Sequence, residues 1–81
     1  MDNIYELEAN TIGSMILDYS KFQDAQDKGL LPEDFEFISY RQAYEIMLEK
    51  NANDIVTIRS NLKDDFAFKD VQEATAHCIS P

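Results

Sequence analysis

Three sets of side chains in this chain are of types that do chemistry. His77 and Cys78 stand side by side near the C-terminal end. The acidic pairs Glu33–Asp34 and Asp64–Asp65 punctuate the middle. Tyr40, Tyr44 and Met47 form an aromatic and thioether stripe at helical spacing. Zinc needs several Cys, His or carboxylate ligands, and His77 and Cys78 have no companions. A Cys–His nucleophilic pair fails too, because neighbours on a helix point about 100° apart and cannot share a proton. The plainer roles are that Cys78 fills a gap in the core and His77 lies near a helix C-terminus, where positive charge suits the dipole.

An acidic chain invites a test for calcium. The best EF-hand window starts at Asp24 and puts Gly29 at the required sixth place. Gln26 and Lys28 then occupy the third and fifth places, and Phe35 replaces the bidentate Glu at the twelfth. A lysine would point a cation at the ion, so the window is rejected. No G-x-x-x-x-G-K-[ST] or G-x-G-x-x-G stretch occurs, so no nucleotide-binding loop is expected. The acidic pairs fall at helix ends, where capping and solubility account for them. The Tyr40/Tyr44/Met47 stripe could be a cofactor box, but such a stripe is ordinarily core. No catalytic, cofactor-binding or metal-binding residue is therefore expected, and the chain is not expected to be an enzyme.

The elements that position these residues are helices. Tyr40, Ala43, Tyr44, Met47 and Leu48 share one face of a helix over Ile38–Lys50, which the other elements bury against. Ser39 and Gln42 give this helix a capping-box start, and Arg41 is placed to pair with Glu45. A first helix over Ile4–Asp18, capped by Asp2 or Asn3, is expected to bury Leu7, Ile12, Met15, Ile16 and Tyr19. Its Glu6 and Glu8 suit the N-terminal dipole. Gly13 in mid-helix costs about 1 kcal/mol relative to Ala, which close approach of a neighbouring helix would explain. Ser20 and Gln23 form a second capping box, opening a helix over Lys21–Lys28 with Phe22 and Ala25 inward and Gly29 as its stop. Pro32–Phe35 is one helical turn, with Phe35 and Phe37 as core anchors. After the turn Asn51–Asp54, Asp54 caps a helix burying Ile55, Ile58 and Leu62. Asp64–Asp65 breaks it, and a last helix buries Phe68, Val71, Thr75 and Cys78. The expected fold is all-α, a compact bundle of about five main short helices forming one domain over residues 1–81.

Composition narrows the partners. Sixteen acidic residues against seven basic give a net charge of −9. Binding nucleic acid requires clustered Lys and Arg, and here they are scattered. Anionic membranes are disfavoured for the same reason. A single cysteine forms no internal disulfide. The acidic start is no signal peptide, and the apolar runs, such as Met15-Ile16-Leu17, fall far short of a membrane span. A cytoplasmic protein that meets basic partners or none is the expectation. Glu45 and Glu49, with Asp64 and Asp65, are available to such a partner, although solvated charge also accounts for them.

Three segments in order resemble the N-terminal domain of the DnaB-type replicative DNA helicases. Glu6–Asp18 is similar to the family's opening helix, with its acidic start and aliphatic-Gly-Ser-aliphatic run. Leu31-Pro-Glu-Asp-Phe35 followed by Tyr40–Leu48 resembles the P-E-D-F stretch and apolar helix, with Tyr44-Glu45 as its aromatic-Glu pair. Asp54-Ile-Val-Thr-Ile58 with Leu62 is similar to the third signature. The resemblance covers roughly residues 4–63. Tyr40 stands where the family commonly has His, and the turn Asn51–Asn53 is shorter than usual, implying a tighter join. The resemblance also implies that Gly13 lets the first helix lie close to the central one.

The resemblance implies a parent protein that is a hexameric, ATP-driven helicase unwinding DNA at the replication fork. This chain would be its non-catalytic N-terminal head, an assembly module within the primosome. ATP and magnesium would belong to the parent's ATPase domain, which no residue here matches, and the dimerising helical hairpin is likewise missing. The implied partners are helicase subunits, primase or the helicase loader, and the isolated chain would be a monomer or weak dimer. The end at Ser80-Pro81, where the family's chain runs on, points to a segment of a longer protein. The alternative is a free-standing small acidic protein that mimics the head and captures a loader, primase or helicase.

Overall fold

In the computed structural model, residues 4–79 are described. The chain forms α1 (Ile4–Leu17), α2 (Tyr19–Asp27), a single 3-10 turn (Pro32–Asp34), α3 (Ile38–Lys50), α4 (Ile55–Asn61) and α5 (Asp65–Ile79). No strand occurs among the described residues, in line with the all-α expectation. The body measures 33 × 28 × 26 Å.

The core is built on α3. Tyr40, Ala43, Tyr44 and Met47 are all buried, and Leu48 packs at the edge. Phe22 and Phe35 close around Tyr44 with ring centroids at 6.3 and 5.5 Å. Phe22 is fully buried and Ala25 packs beside the core, so α2 turns inward the face its sequence marks. Phe35 is a full anchor and Phe37 a partial one.

The inward face of α1 differs from the expected one. Ile12 and Met15 are buried, but Leu7 is 66% exposed, and Tyr19 is an exposed residue at the start of α2. Glu8, Ala9 and Gly13 take the inner positions instead. Leu7 lies five residues before Ile12, about 140° round the helix, so burying Ile12 turns Leu7 outward. The caps expected at Asp2 or Asn3 lie outside the described residues.

Gly13 faces α5, not α3. A Cβ there would sit 2.7 Å from the Ala74 carbonyl oxygen and 2.5 Å from Cys78 Sγ. α1 does reach α3, but through the Tyr5 and Tyr40 rings, 5.7 Å apart. The same close approach resets α5. Its buried residues are Ala67, Val71 and Ala74, while Phe68, Thr75 and Cys78 are only half-buried. Small side chains occupy the seam because two backbones cannot approach closely across bulky ones. Phe68 is turned toward Arg59, whose guanidinium carbon lies 5.0 Å from the ring centre.

Helix starts show further corrections. α2 begins two residues early because Asp18, not Ser20, is its N-cap. The Asp18 carboxylate accepts from the Ser20 N–H at 3.0 Å and its hydroxyl at 2.7 Å. The Ser39–Gln42 box does not form. The Ser39 hydroxyl donates instead to Asp70 at 2.6 Å, tying α3 to α5. Arg41 does not take up Glu45: its Nε and Nη2 donate to the Phe35 carbonyl at 3.2 and 2.9 Å. Gly29 stops α2 as expected, with φ +82°. The Leu30 N–H bonds the Ala25 carbonyl and the Gly29 N–H that of Gln26, the paired bonds of a Schellman stop.

The turn after α3 is tight. Asn51 adopts the left-handed conformation at φ 51°, and Asn53 reaches across to the end of α1, donating to the Met15 and Ile16 carbonyls at 2.9 and 3.2 Å. Asp54 then caps α4 through the Thr57 N–H at 2.9 Å and hydroxyl at 2.8 Å. Ile58 is buried, with Ile55 and Leu62 packed against the core, as the spacing predicts.

Those two bonds from Thr57 hold the Asp54 carboxyl below its ordinary range. A depressed folded value means stabilisation present above the unfolded value, near 3.8, and lost as pH falls through the lower folded one. Asp54→Ala is expected to lower the melting temperature by a few degrees at neutral pH. The gap to the parent chain should narrow as pH falls below the unfolded value and close once pH has passed through the lower folded one. Thermal melts across a pH series check this, and a gap independent of pH would remove the cap as its cause.

Candidate functional site

The residues of chemical type are dispersed by the fold. Tyr40, Tyr44 and Met47 are 1%, 0% and 0% exposed, which places the stripe in the core. The Tyr44 hydroxyl donates to the Leu30 carbonyl at 2.9 Å. Burial pushes its phenol up, with a further push from the Asp34 charge. His77 is exposed, and Cys78 points at α1, with Sγ 3.7 Å from the Asn10 carbonyl. Asp24 pairs with Lys28 at 3.1 Å on consecutive turns of α2, so the window tested for calcium is a helix and its stop. Among the described residues no group of three His, Cys, Asp or Glu is placed to hold a metal ion.

Of the two acidic pairs, Asp34 uses its carboxylate in local structure and Asp64 its backbone carbonyl. The Asp34 carboxylate accepts the Leu31 N–H at 2.8 Å, closing the 3-10 turn. The Asp64 carbonyl receives the Ala67 and Phe68 N–H groups, which starts α5. Tyr40 differs from Tyr44 in one respect: among the described residues its buried hydroxyl has no well-formed hydrogen bond, although the Tyr5 hydroxyl is near enough to interact with it. Burial pushes this phenol far up, and neighbouring Tyr5, Asp70 and Glu73 add to the shift. An orphaned buried hydroxyl costs about 1–3 kcal/mol. Tyr40→Phe keeps the ring contacts and removes that cost, so it is expected to raise stability by about 1 kcal/mol in a denaturant titration. A fall in stability would show that the hydroxyl has a partner in solution.

Glu8, expected to serve the dipole of its own helix, is instead buried against the entry to α3. Glu8 is 8% exposed, and its carboxylate accepts the Glu36 N–H at 2.7 Å and the Phe37 N–H at 3.1 Å. These groups sit at the entry to α3, whose N-cap is Phe37. α1 thus holds the segment that leads into the central helix, and the carboxylate lies by the N-terminal, positive end of the helix dipole. A signal exists in the sequence: Glu8 stands three residues after Tyr5 and four before Ile12, on the inward side of α1. A carboxylate in that register needs donors waiting for it.

What the surface offers is charge and apolar area. A groove of about 630 Å³ runs between α3 and the connection from α4 to α5. Ile46, Leu48, Leu62 and Pro32 line it, and Glu45, Glu49 and Asp64 stand along it with Lys63. All four apolar residues are half-buried. Of the four carboxylates expected to face a basic partner, the fold brings three together and leaves Asp65 outside. A second groove, of about 510 Å³, separates α1 from α2, where Lys21 and Lys28 offset Asp24 and Asp34. Leu7 stands exposed with Ile4 on the outer side of α1, beside Leu30 and Phe35. No helix among the described residues is long and apolar enough to cross a membrane.

Comparison with protein families gives a match over residues 1–78 to the model described as the DnaB-like helicase N terminal domain. Neither the curated proteins nor the solved structures give a match.

Proposed function

Because the chain belongs to the DnaB-like helicase N-terminal domain family, we propose that it is the non-catalytic head of a replicative DNA helicase, an interaction and assembly module in ATP-driven unwinding at the replication fork. The observation that carries this reading is the family match over residues 1–78. The structure is compatible with it. Tyr40, Tyr44 and Met47 are spent on the core, and Glu8, Asp18, Asp34 and Asp54 on capping and turns. ATP and magnesium belong to the parent's ATPase domain. This chain has no phosphate-binding loop sequence to hold them. The head acts through its surface, and its partners are helicase subunits, primase or the helicase loader.

The test uses the three purified partners from the source organism. The immobilised chain is expected to retain at least one of them, and the parent helicase with this head deleted should lose that contact. No retention of any partner, with unwinding and priming unchanged on deletion, would overturn the reading.

A further inference from the structure

We propose that the groove between α3 and the α4–α5 connection is the docking site for a basic amphipathic helix of a partner protein. The inference rests on the interaction-module reading and names the surface and the chemistry it selects. Charge complementarity identifies the occupant. Glu45 and Glu49 are both exposed and four residues apart on α3, which separates their carboxylates by about 6 Å along the axis. Two cations at i and i+4 on an incoming helix have that same separation. Asp64 adds a third carboxylate from the opposite side of the groove, against a single lysine, Lys63. Between these charges, Ile46, Leu62 and Pro32 present half-buried apolar surface suited to the aliphatic side of the same helix.

The α1–α2 groove lacks this pattern, because Lys21 and Lys28 balance its acids and Lys28 already pairs with Asp24. The exposed Leu7 surface is lined by carboxylates as well, but Asp34 is taken up by the Leu31 N–H and Glu8 by the Glu36 and Phe37 N–H groups, which leaves Glu36 alone to meet a cation. The groove beside α3 is the place where spacing, sign and apolar floor agree.

The probe is a synthetic Leu/Lys amphipathic peptide of about 15 residues, long enough to hold a helix. A Leu/Glu peptide of the same pattern is the control. Binding is followed by fluorescence anisotropy and by amide chemical shifts of the full chain. The Lys peptide is expected to bind, to shift amides of Gln42–Glu49 and Asn61–Asp64, and to weaken with added salt. Glu45→Gln with Glu49→Gln should weaken it about tenfold or more while leaving the melting temperature near that of the parent. Asp27→Asn with Glu73→Gln removes equal charge elsewhere and should leave binding unchanged. Equal weakening by the two variants would reduce the effect to net charge and overturn the proposal. Shifts centred on Leu7 or on the α1–α2 groove would overturn it too. These outcomes leave the head reading standing, since that reading is judged on retention of the purified partners.

Discussion

Gly13→Leu is expected to unfold most of the chain's stability margin. A domain of 81 residues has about 4–12 kcal/mol in total. The Cβ alone would lie 2.7 Å from the Ala74 carbonyl oxygen and 2.5 Å from Cys78 Sγ. The sulfur can rotate aside, but the carbonyl belongs to the α5 backbone and moves only if the helix moves. Overpacking of this kind costs about 1–3 kcal/mol for small intrusions, and an isobutyl group is a large one. Gly13→Ala decides the sign more finely. Alanine gains about 1 kcal/mol of helix propensity, yet the contact with backbone should outweigh it and leave a net loss. Adding Cys78→Ala to Gly13→Ala should recover part of that loss, because one of the two contacts is gone. Thermal and denaturant unfolding of the four chains measures all of this. If Gly13→Ala stabilises, the seam between α1 and α5 is looser than the structure shows.

Loss of the Glu8 carboxylate is the second large effect. Glu8→Ala removes both acceptors for the Glu36 and Phe37 N–H groups and exposes the start of α3 to solvent. Charge-assisted bonds contribute about 1.5–3 kcal/mol each, though not additively. The expected cost is about 2–4 kcal/mol, a fall of some tens of degrees at most in a domain this small. Glu8→Gln is the sharper variant. Its amide keeps one acceptor but turns an N–H₂ donor toward a second N–H, so it should recover less than half of the loss. Hydrogen exchange at Glu36, Phe37 and Tyr40 should quicken in both variants. Exchange unchanged there, with normal melting, would mean the entry to α3 is held by something other than α1.

The contrast between these two residues shows what a sequence carries. The helix α3 was legible because Tyr40, Ala43, Tyr44 and Met47 are large or apolar and their burial follows one period. The cap of α4 was legible because Asp54 and Thr57 are local to each other. The hold on the entry to α3 was not, because its carboxylate comes from 28 residues upstream. Ser39 shows the same limit from the other side: the S-x-x-Q pattern is present, but Asp70 in α5 competes for the hydroxyl and wins at 2.6 Å. The inward face of α5 was misplaced because Ala67 and Ala74 are buried for their smallness, and hydropathy gives weight to Phe68 and Cys78 instead. Of the groove, the carboxylates of Glu45, Glu49 and Asp64 were visible as charge. Their convergence on Leu62 and Pro32 was not, since it depends on how α4 returns along α3.

The seam between α1 and α5 bears on how the chain folds while it is being made. Asn10 and Cys78, which meet across it, are 68 residues apart. On the ribosome α1 emerges early, with Ile12 and Met15 on a face whose cover has not yet been synthesised. The small side chains that complete the seam, Ala74 and Cys78, come among the last of the described residues. Closing so long a loop costs entropy before any burial repays it. Docking of α5 is therefore the step that turns a partly collapsed nascent chain into the native fold, and until it occurs α1 is the segment a chaperone would meet.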